Sequence, residues 1–428
     1  LYSYSRLLRY ASSNTFQGFK FLHRGLGGGG VGFIHEEQIL DLTAKSFGEH
    51  GYWGWIDNCR RGYIDDSHYD WDASTIGVID DEVVTHVGVW GYRMRIGSAK
   101  VRVGGLGAVA THGRHRKQGL MARTFDAVIR SMRRCGYDMS ILFGIPGFYH
   151  RFGYVRAWAS LTCTASVGDL PTGGPPGRLF AFRPPREDTD RLYNRRSAGL
   201  TGTAVRPTYR RARYGRRGYR WTDTRGRTAG YVVVAEWRGR FQLVDSAGDP
   251  EDVLRAVAVL ARRRRAGKVR FPSLHHESPL GRQLRRVGCG MDLGYQRSGG
   301  AMVRVVNLAS ALKKICGQLS RRLANSAMSG WHGRLCIVGP DEAATLKIAR
   351  GQVELTEATE QRLAGARRGE KTRHTLRAGH EIAQLLIGTE PAAEVMETGK
   401  MRATGDAARL AEVLFPAQHP MLSDWDEF

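Results

Sequence analysis

The chain has 428 residues, 42% of them hydrophobic and 25% charged, a balance that suits a globular protein of about two to four domains. No stretch approaches the ~20 consecutive apolar residues of a bilayer-spanning helix, and the six cysteines (Cys59, Cys135, Cys163, Cys289, Cys316 and Cys336) lie far apart with no C-x-x-C, which argues against a zinc site or a disulfide framework. Net charge is +24, of which +6 falls in residues 1–165, +17 in 166–305 and +1 in 306–428. A solvated arginine-rich surface accounts for the basic middle more simply than a nucleic-acid partner does. Reduced thiols and the lack of a signal-peptide pattern fit the cytoplasm.

The chain begins with Leu1, and residues 1–30, ending in the run Gly27–Gly30, read as a tail or a start-site artefact. HEEQILDLTAKSFGEH spaces Ile39, Leu40, Leu42 and Phe47 along one helical face. GYWGWIDN is expected to be an aromatic loop. STIGVID and VVTHVGVWGYRMRIG are β-rich runs joined at Asp80–Asp81, which predicts a hairpin. In the next strand, AKVRVGGLGAVATH, the glycines point to a bulge or to close approach of a ligand. The basic turn GRHRKQG leads into a helix whose apolar face is Met121, Phe125, Val128, Ile129 and Met132, ended at Gly136. MSILFGI is a short strand buried on both faces.

Asp169–Arg178, rich in Pro and Gly, is a linker or loop. Strands follow through RWTDTRGRTAGYVVVAEWRGRFQLVDS. DPEDVLRAVAVLARRRRAG is a helix capped by Asp249, then come the strand KVRFPSL, the short helix SPLGRQLRRVG and the strand AMVRVVN, which closes this unit. That order echoes the first unit and predicts an internal structural repeat. Beyond Leu308–Leu312, RLCIVG, ATLKIA and GQVELTE predict a meander, HTLRAGHEIAQLLIG and GDAARLAEVLF predict helices, and PAQHPMLSDWDEF is an acidic, aromatic tail.

Two turns carry the chemistry. Backbone N–H groups at a helix start form an anion site. Arg114, Arg116 and Lys117 add charge there, and Gly119 lets the backbone approach a phosphate. R-x-x-G (Arg116–Gly119) after a strand and before an amphipathic helix resembles the acyl-CoA turn of the GCN5-related N-acetyltransferase (GNAT) superfamily. The resemblance implies that Val109 and Thr111 pair with the pantetheine arm, and that Arg116, Lys117, Gly119 and Leu120 contact the pyrophosphate of acetyl-CoA. Met121 departs from the small residue usual at its position. GFYHRFGYV (147–155) resembles the superfamily's next turn, and the match places Tyr149 on its general acid.

The layout of two such units and a mixed α/β unit, ending in Glu427-Phe428, resembles the Eis-type (enhanced intracellular survival) acetyltransferases. This implies an α+β chain: a catalytic GNAT domain (31–165), a second, non-catalytic GNAT-like domain (166–305) and a sterol-carrier-protein-like α/β domain (306–428) that brings the C-terminus to the active site. It implies the Phe428 carboxylate as general base, Glu49 and Glu427 as acidic contacts for a cationic acceptor, and a homo-oligomer, the hexamer of the family. Trp53 and Trp55 could wall the pocket or serve as core. The acceptor would be a small polyamine, an aminoglycoside-like amine or a lysine side chain. The middle unit has no R-x-x-G turn, and Arg262–Arg265 falls at the C-terminal end of its helix, where the dipole repels anions. His112, His115, His275 and His276 have no metal-ligand spacing, so no metal is expected. The rival readings are a carrier of apolar ligands through the last domain and a polyanion binder through the basic middle.

Overall fold

In a computed structural model, residues 19–22, 31–48, 51–60, 68–207, 217–275, 277–296, 299–360 and 374–427 are described. The chain forms three mixed sheets with helices packed on them.

The first unit runs β1 (Lys20–Leu22), α1 (Val31–Phe47), α2 (Tyr52–Cys59), β2 (Thr75–Ile79), β3 (Glu82–Ile96), β4 (Ala99–Thr111), α3 (Leu120–Arg134), β5 (Met139–Gly144) and β6 (Val155–Arg156). Asp80 and Asp81 turn β2 into β3 with φ of 46° and 61°, the two left-handed residues that a tight hairpin turn requires. Two expectations are corrected here. Lys20–Leu22, within the stretch read as a tail, pairs antiparallel with β2, and Phe19 beside it is 2% exposed. GYWGWIDN is not a loop but α2. Its Trp55 ring stacks on Phe47 at 5.5 Å and its Tyr52 hydroxyl donates to Asp41 at 2.6 Å, so contacts to α1 fix a helix whose sequence is dominated by aromatic and turn residues.

The second unit runs β7 (Ser160–Ser166), β8 (Phe180–Phe182), α4 (Glu187–Arg196), β9 (Arg217–Thr222), β10 (Thr228–Trp237), β11 (Arg240–Ala247), α5 (Pro250–Arg263), β12 (Lys268–Pro272), α6 (Pro279–Val287) and β13 (Gly290–Gly294), and β14 (Gly300–Val305) follows. The sheet orders are β1-β2-β3-β4-β5-β14-β6 and β13-β7-β12-β11-β10-β9-β8. One strand therefore crosses back from the second unit to the first. β14, expected to close the second unit, enters the first sheet between β5 and β6, and β7 enters the second between β12 and β13. The insertion covers strand edges of β5 and β6 that the first unit would otherwise expose.

The third unit comprises α7 (Leu308–Ala324), β15 (Gly333–Val338), β16 (Glu342–Ala349), β17 (Gln352–Glu360), β18 (His374–Ala378), α8 (Ile382–Ile387), α9 (Ala392–Glu397), β19 (Met401–Thr404) and α10 (Ala407–Leu414), with sheet order β17-β16-β15-β18-β19. HTLRA is a strand rather than a helix start, because it lies parallel to β15 with Leu376 fully buried. One buried cluster runs from Trp90 and Ile141 through Trp221 and Phe271 to Leu312 and Leu386, so the three units share a core. α7 ties them further: Lys314 meets Asp138 at 2.6 Å, and Gln318 accepts from the Ser98 amide at 3.2 Å. Among the described residues no helix is long and apolar enough to cross a membrane.

Candidate functional site

The site begins where the first sheet splits. β4 and β5 run in parallel register from Val103–Met139 to Leu106–Leu142, where the pairing ends although β4 continues to Thr111. On the other side of β4, the register with β3 slips. Ala110 faces His86 and Gly107 faces Gly88, so Ala108 and Val109 together oppose Val87. Ala108 takes φ 49°, a left-handed value costly for alanine and sustained by what surrounds it. That support is His86, 1% exposed. Its Nδ1 lies 2.7 Å from the Ala108 carbonyl and its Nε2 lies 2.8 Å from the Tyr69 hydroxyl. Burial pushes the imidazole pKa down to about 4. The ring is therefore neutral near pH 7, with Nδ1–H donating to Ala108 and Nε2 accepting from Tyr69. The bulge expected from the glycines of β4 is present. The histidine that fixes it gave no sequence signal, since an isolated His in a strand is uninformative.

Past the bulge, β4 leads to a cationic corner at the start of α3. Gly119 caps α3 with φ 75°, no side chain caps the helix, and no acid occupies its first turn. Lys117 is also left-handed, at φ 62°. Arg114, Arg116, Lys117 and Gly119 are exposed, and Arg116 Nε donates to the Thr111 carbonyl at 3.3 Å, folding the turn against the strand. Leu120 is buried against Phe19 and Val84, so what it offers a ligand is its backbone N–H. The corresponding corner of the second unit is opposite in character. Asp249 caps α5 by accepting from the amides of Glu251 and Asp252, and these two acids fill the first turn. Fixed N–H groups with nearby cations attract an anion at α3, whereas at α5 the donors are used and the charge is negative.

At the other lip of the split, β5 ends at Gly144 and a single 3-10 turn, Tyr149–Phe152, follows. The Phe152 ring stacks on Phe125 of α3 at 4.1 Å, and the Tyr149 ring meets Phe125 edge-on at 5.8 Å. A Cβ on Gly144 would lie 2.5 Å from Tyr149 Cδ2, so glycine is what lets the phenol lie against the strand. Burial raises the Tyr149 pKa to about 12, which keeps the hydroxyl protonated throughout the neutral range.

Val109, Thr111, Arg116, Lys117, Gly119 and Leu120 thus lie along one continuous path from β4 to α3, and Phe125 of α3 touches Tyr149. Glu49 and Phe428 lie outside the described residues. Glu427 is half-buried at the end of a strap, residues 416–427, whose anchor the sequence did not reveal. Arg206 donates from Nε to Asp426 at 3.0 Å, from both terminal nitrogens to Asp245 at 2.7 and 3.0 Å, and to the Tyr231 hydroxyl at 3.0 Å. Its guanidinium sits 3.5 Å over the Tyr193 ring, and Trp425 is buried in the same cluster. An arginine among many in a basic segment carries no visible mark of this role. Among the described residues no group of three or more His, Cys, Asp or Glu is placed to hold a metal ion.

The profile of the acetyltransferase (GNAT) domain family matches residues 35–157, the stretch that holds the split, the cationic corner and Tyr149. No curated protein sequence matches the chain. Among solved structures, a probable N-acyltransferase from Enterococcus faecalis V583 superposes with TM-score 0.70 at 16% identity, covering 95% of this chain and 99% of its own. A GCN5-related N-acetyltransferase from Kribbella flavida gives 0.67 at 17% identity, over 95% and 99% of the two chains. Eis1 from Mycobacterium abscessus gives 0.62 at 14% identity, over 94% and 98%. At these identities the likeness is one of fold, and it extends over all three units.

Proposed function

With residues 35–157 forming an acetyltransferase (GNAT) domain in an Eis-type fold, we propose that the chain is an acetyl-CoA-dependent N-acetyltransferase that moves the acetyl group directly to a primary amine. The observation that carries this reading is the β4 edge freed beyond Leu106, open between a cationic, side-chain-free helix start and a protonated phenol. The residues fit the cosubstrate. Backbone groups of Val109 and Thr111 would pair with the amides of the pantetheine arm. The first-turn N–H groups of α3 at Gly119 and Leu120, with Arg116 and Lys117, would hold the pyrophosphate. At α5 the acids oppose such a ligand, which supports a non-catalytic second unit.

Acetyl-CoA supplies the activated thioester. As the amine nitrogen bonds to the acetyl carbon and the C–S bond breaks, Tyr149 gives its hydroxyl proton to the departing sulfur. The amine proton passes, through a bridging water, to the base, for which we assign the Phe428 carboxylate. Glu49 and Glu427 would draw in a cationic acceptor such as a polyamine, an aminoglycoside-like amine or a lysine side chain, since close charges outweigh the screened basic surface of the middle unit. We also infer a homo-oligomer, the hexamer implied by the family resemblance.

Tyr149→Phe removes the proton donor and keeps the ring. Turnover of acetyl-CoA with a diamine or aminoglycoside acceptor, followed by thiol release, is expected to fall by about 100-fold or more with the acetyl-CoA dissociation constant unchanged. Turnover equal to that of the parent protein would remove Tyr149 from this role.

A further inference from the structure

The Tyr149 turn does not hold itself. It is one 3-10 turn, a form with poor hydrogen-bond geometry that depends on neighbours. Phe125 and Gly144, described above, lie against it. Further contacts to the turn come from residues much later in the chain. Gly153, which ends the turn at φ 78°, is in contact with the His380 ring: a Cβ there would stand 2.5 Å from Cε1 and 2.7 Å from Nε2. Arg304 of β14 donates to the Phe152 carbonyl and meets Asp341 of the third unit at 3.2 Å.

The third unit also grips the segment that follows the turn. Gln384 donates to the Arg156 carbonyl at 3.0 Å, Thr389 donates to the Ala157 carbonyl at 2.6 Å, and Glu390 pairs with the Arg156 side chain. Yet a cavity of about 500 Å³, lined by His150, Gly153, Arg156, His380, Gln384 and other residues, adjoins the turn. His380 meets the turn backbone at Gly153 and lines this cavity. Without its ring the turn has space to shift, and a shift at Gly153 is transmitted within a few bonds to Tyr149, whose carbonyl accepts from the Tyr154 amide at 3.4 Å.

We propose that His380 is a positioning residue for Tyr149, so that the third unit takes part in acetyl transfer by holding the proton donor in place. The inference rests on the reading of Tyr149 as the acid. Its role is steric: a flat ring braced against a glycine α-carbon, through which the third unit fixes the direction of the phenol. A displacement of the acid by about 1 Å lowers turnover by up to about 100-fold without touching the cofactor path.

The test uses the full-length protein with acetyl-CoA and a diamine or aminoglycoside acceptor. His380→Ala is expected to lower kcat by roughly 10- to 100-fold with the acetyl-CoA KM unchanged. His380→Phe, which keeps a flat ring, restores most of kcat. Adding His380→Ala to Tyr149→Phe causes no further loss. A purely structural histidine would lower the melting temperature in both backgrounds without producing this split or this rescue. The proposal is overturned if His380→Ala keeps parental kcat while Tyr149→Phe loses it, or if the two losses multiply. Parental turnover in Tyr149→Phe instead refutes the reading beneath it. Should His380→Ala fail to fold, His380→Asn carries the same comparison.

Discussion

Acidification should weaken the fold through His86, because the ring at the β4 bulge is held neutral. Its pKa is lowered to about 4 by burial, against an ordinary value of 6.5. In the unfolded chain the imidazole takes a proton at the ordinary value, and in the folded chain it resists until the lower one. The unfolded state therefore binds more protons below pH 6.5, so the contribution of His86 to stability is complete above that pH and declines as pH falls through 4. At 1.36 kcal/mol per pH unit, about 2 kcal/mol is lost between about pH 7 and about pH 5, and roughly 3 kcal/mol by about pH 4. Urea unfolding of the parent protein and of His86→Gln across this range isolates the effect, since the other titrating groups cancel in the difference. The variant is expected to be less stable at pH 7, because the Ala108 carbonyl and Tyr69 hydroxyl lose a shared partner, and to lose less stability on acidification. A stability difference between the two proteins that stays constant from about pH 7 to about pH 4 would refute a neutral buried ring.

Other substitutions probe the remaining supports. Gly144→Ala places a methyl 2.5 Å from Tyr149 Cδ2 and 2.9 Å from Leu142 Cδ1, so the phenol must move by about 1 Å; kcat should fall by up to about 100-fold with acetyl-CoA binding retained, as steady-state kinetics and calorimetry will read. Arg206→Met removes the guanidinium from two carboxylates whose side chains are 5% and 0% exposed, and should cost about 3–5 kcal/mol in chemical denaturation; a loss under about 1 kcal/mol would show that Asp245 and Asp426 do not depend on this arginine. A fragment ending at residue 165 lacks β14 and leaves the β5 edge open, so it should be insoluble or aggregate, and a soluble monomer with native circular dichroism would contradict the insertion of β14 as a requirement for folding.

Local pieces of the fold are legible in the residues that form them. A pair of aspartates between two β-rich runs makes a hairpin turn, Asp249 before a helical pattern makes a cap, and R-x-x-G before an amphipathic helix leaves free N–H groups among cations. Each of these depends on residues within a few positions of one another, where spacing alone fixes the geometry. Other features depend on long-range packing. Nothing in AMVRVVN states which of two similar sheets it will join, because a buried strand reads alike in either. His86, Gly144, Arg206, Arg304 and His380 belong to residue types found anywhere in a protein. They act only because the fold brings Ala108, Tyr149, Asp426, Phe152 and Gly153 against them. The turn that carries Tyr149 was visible in nine consecutive residues. What holds it in place comes from β14 and the third unit, through steric contacts and hydrogen bonds that exist only once the three units share one core.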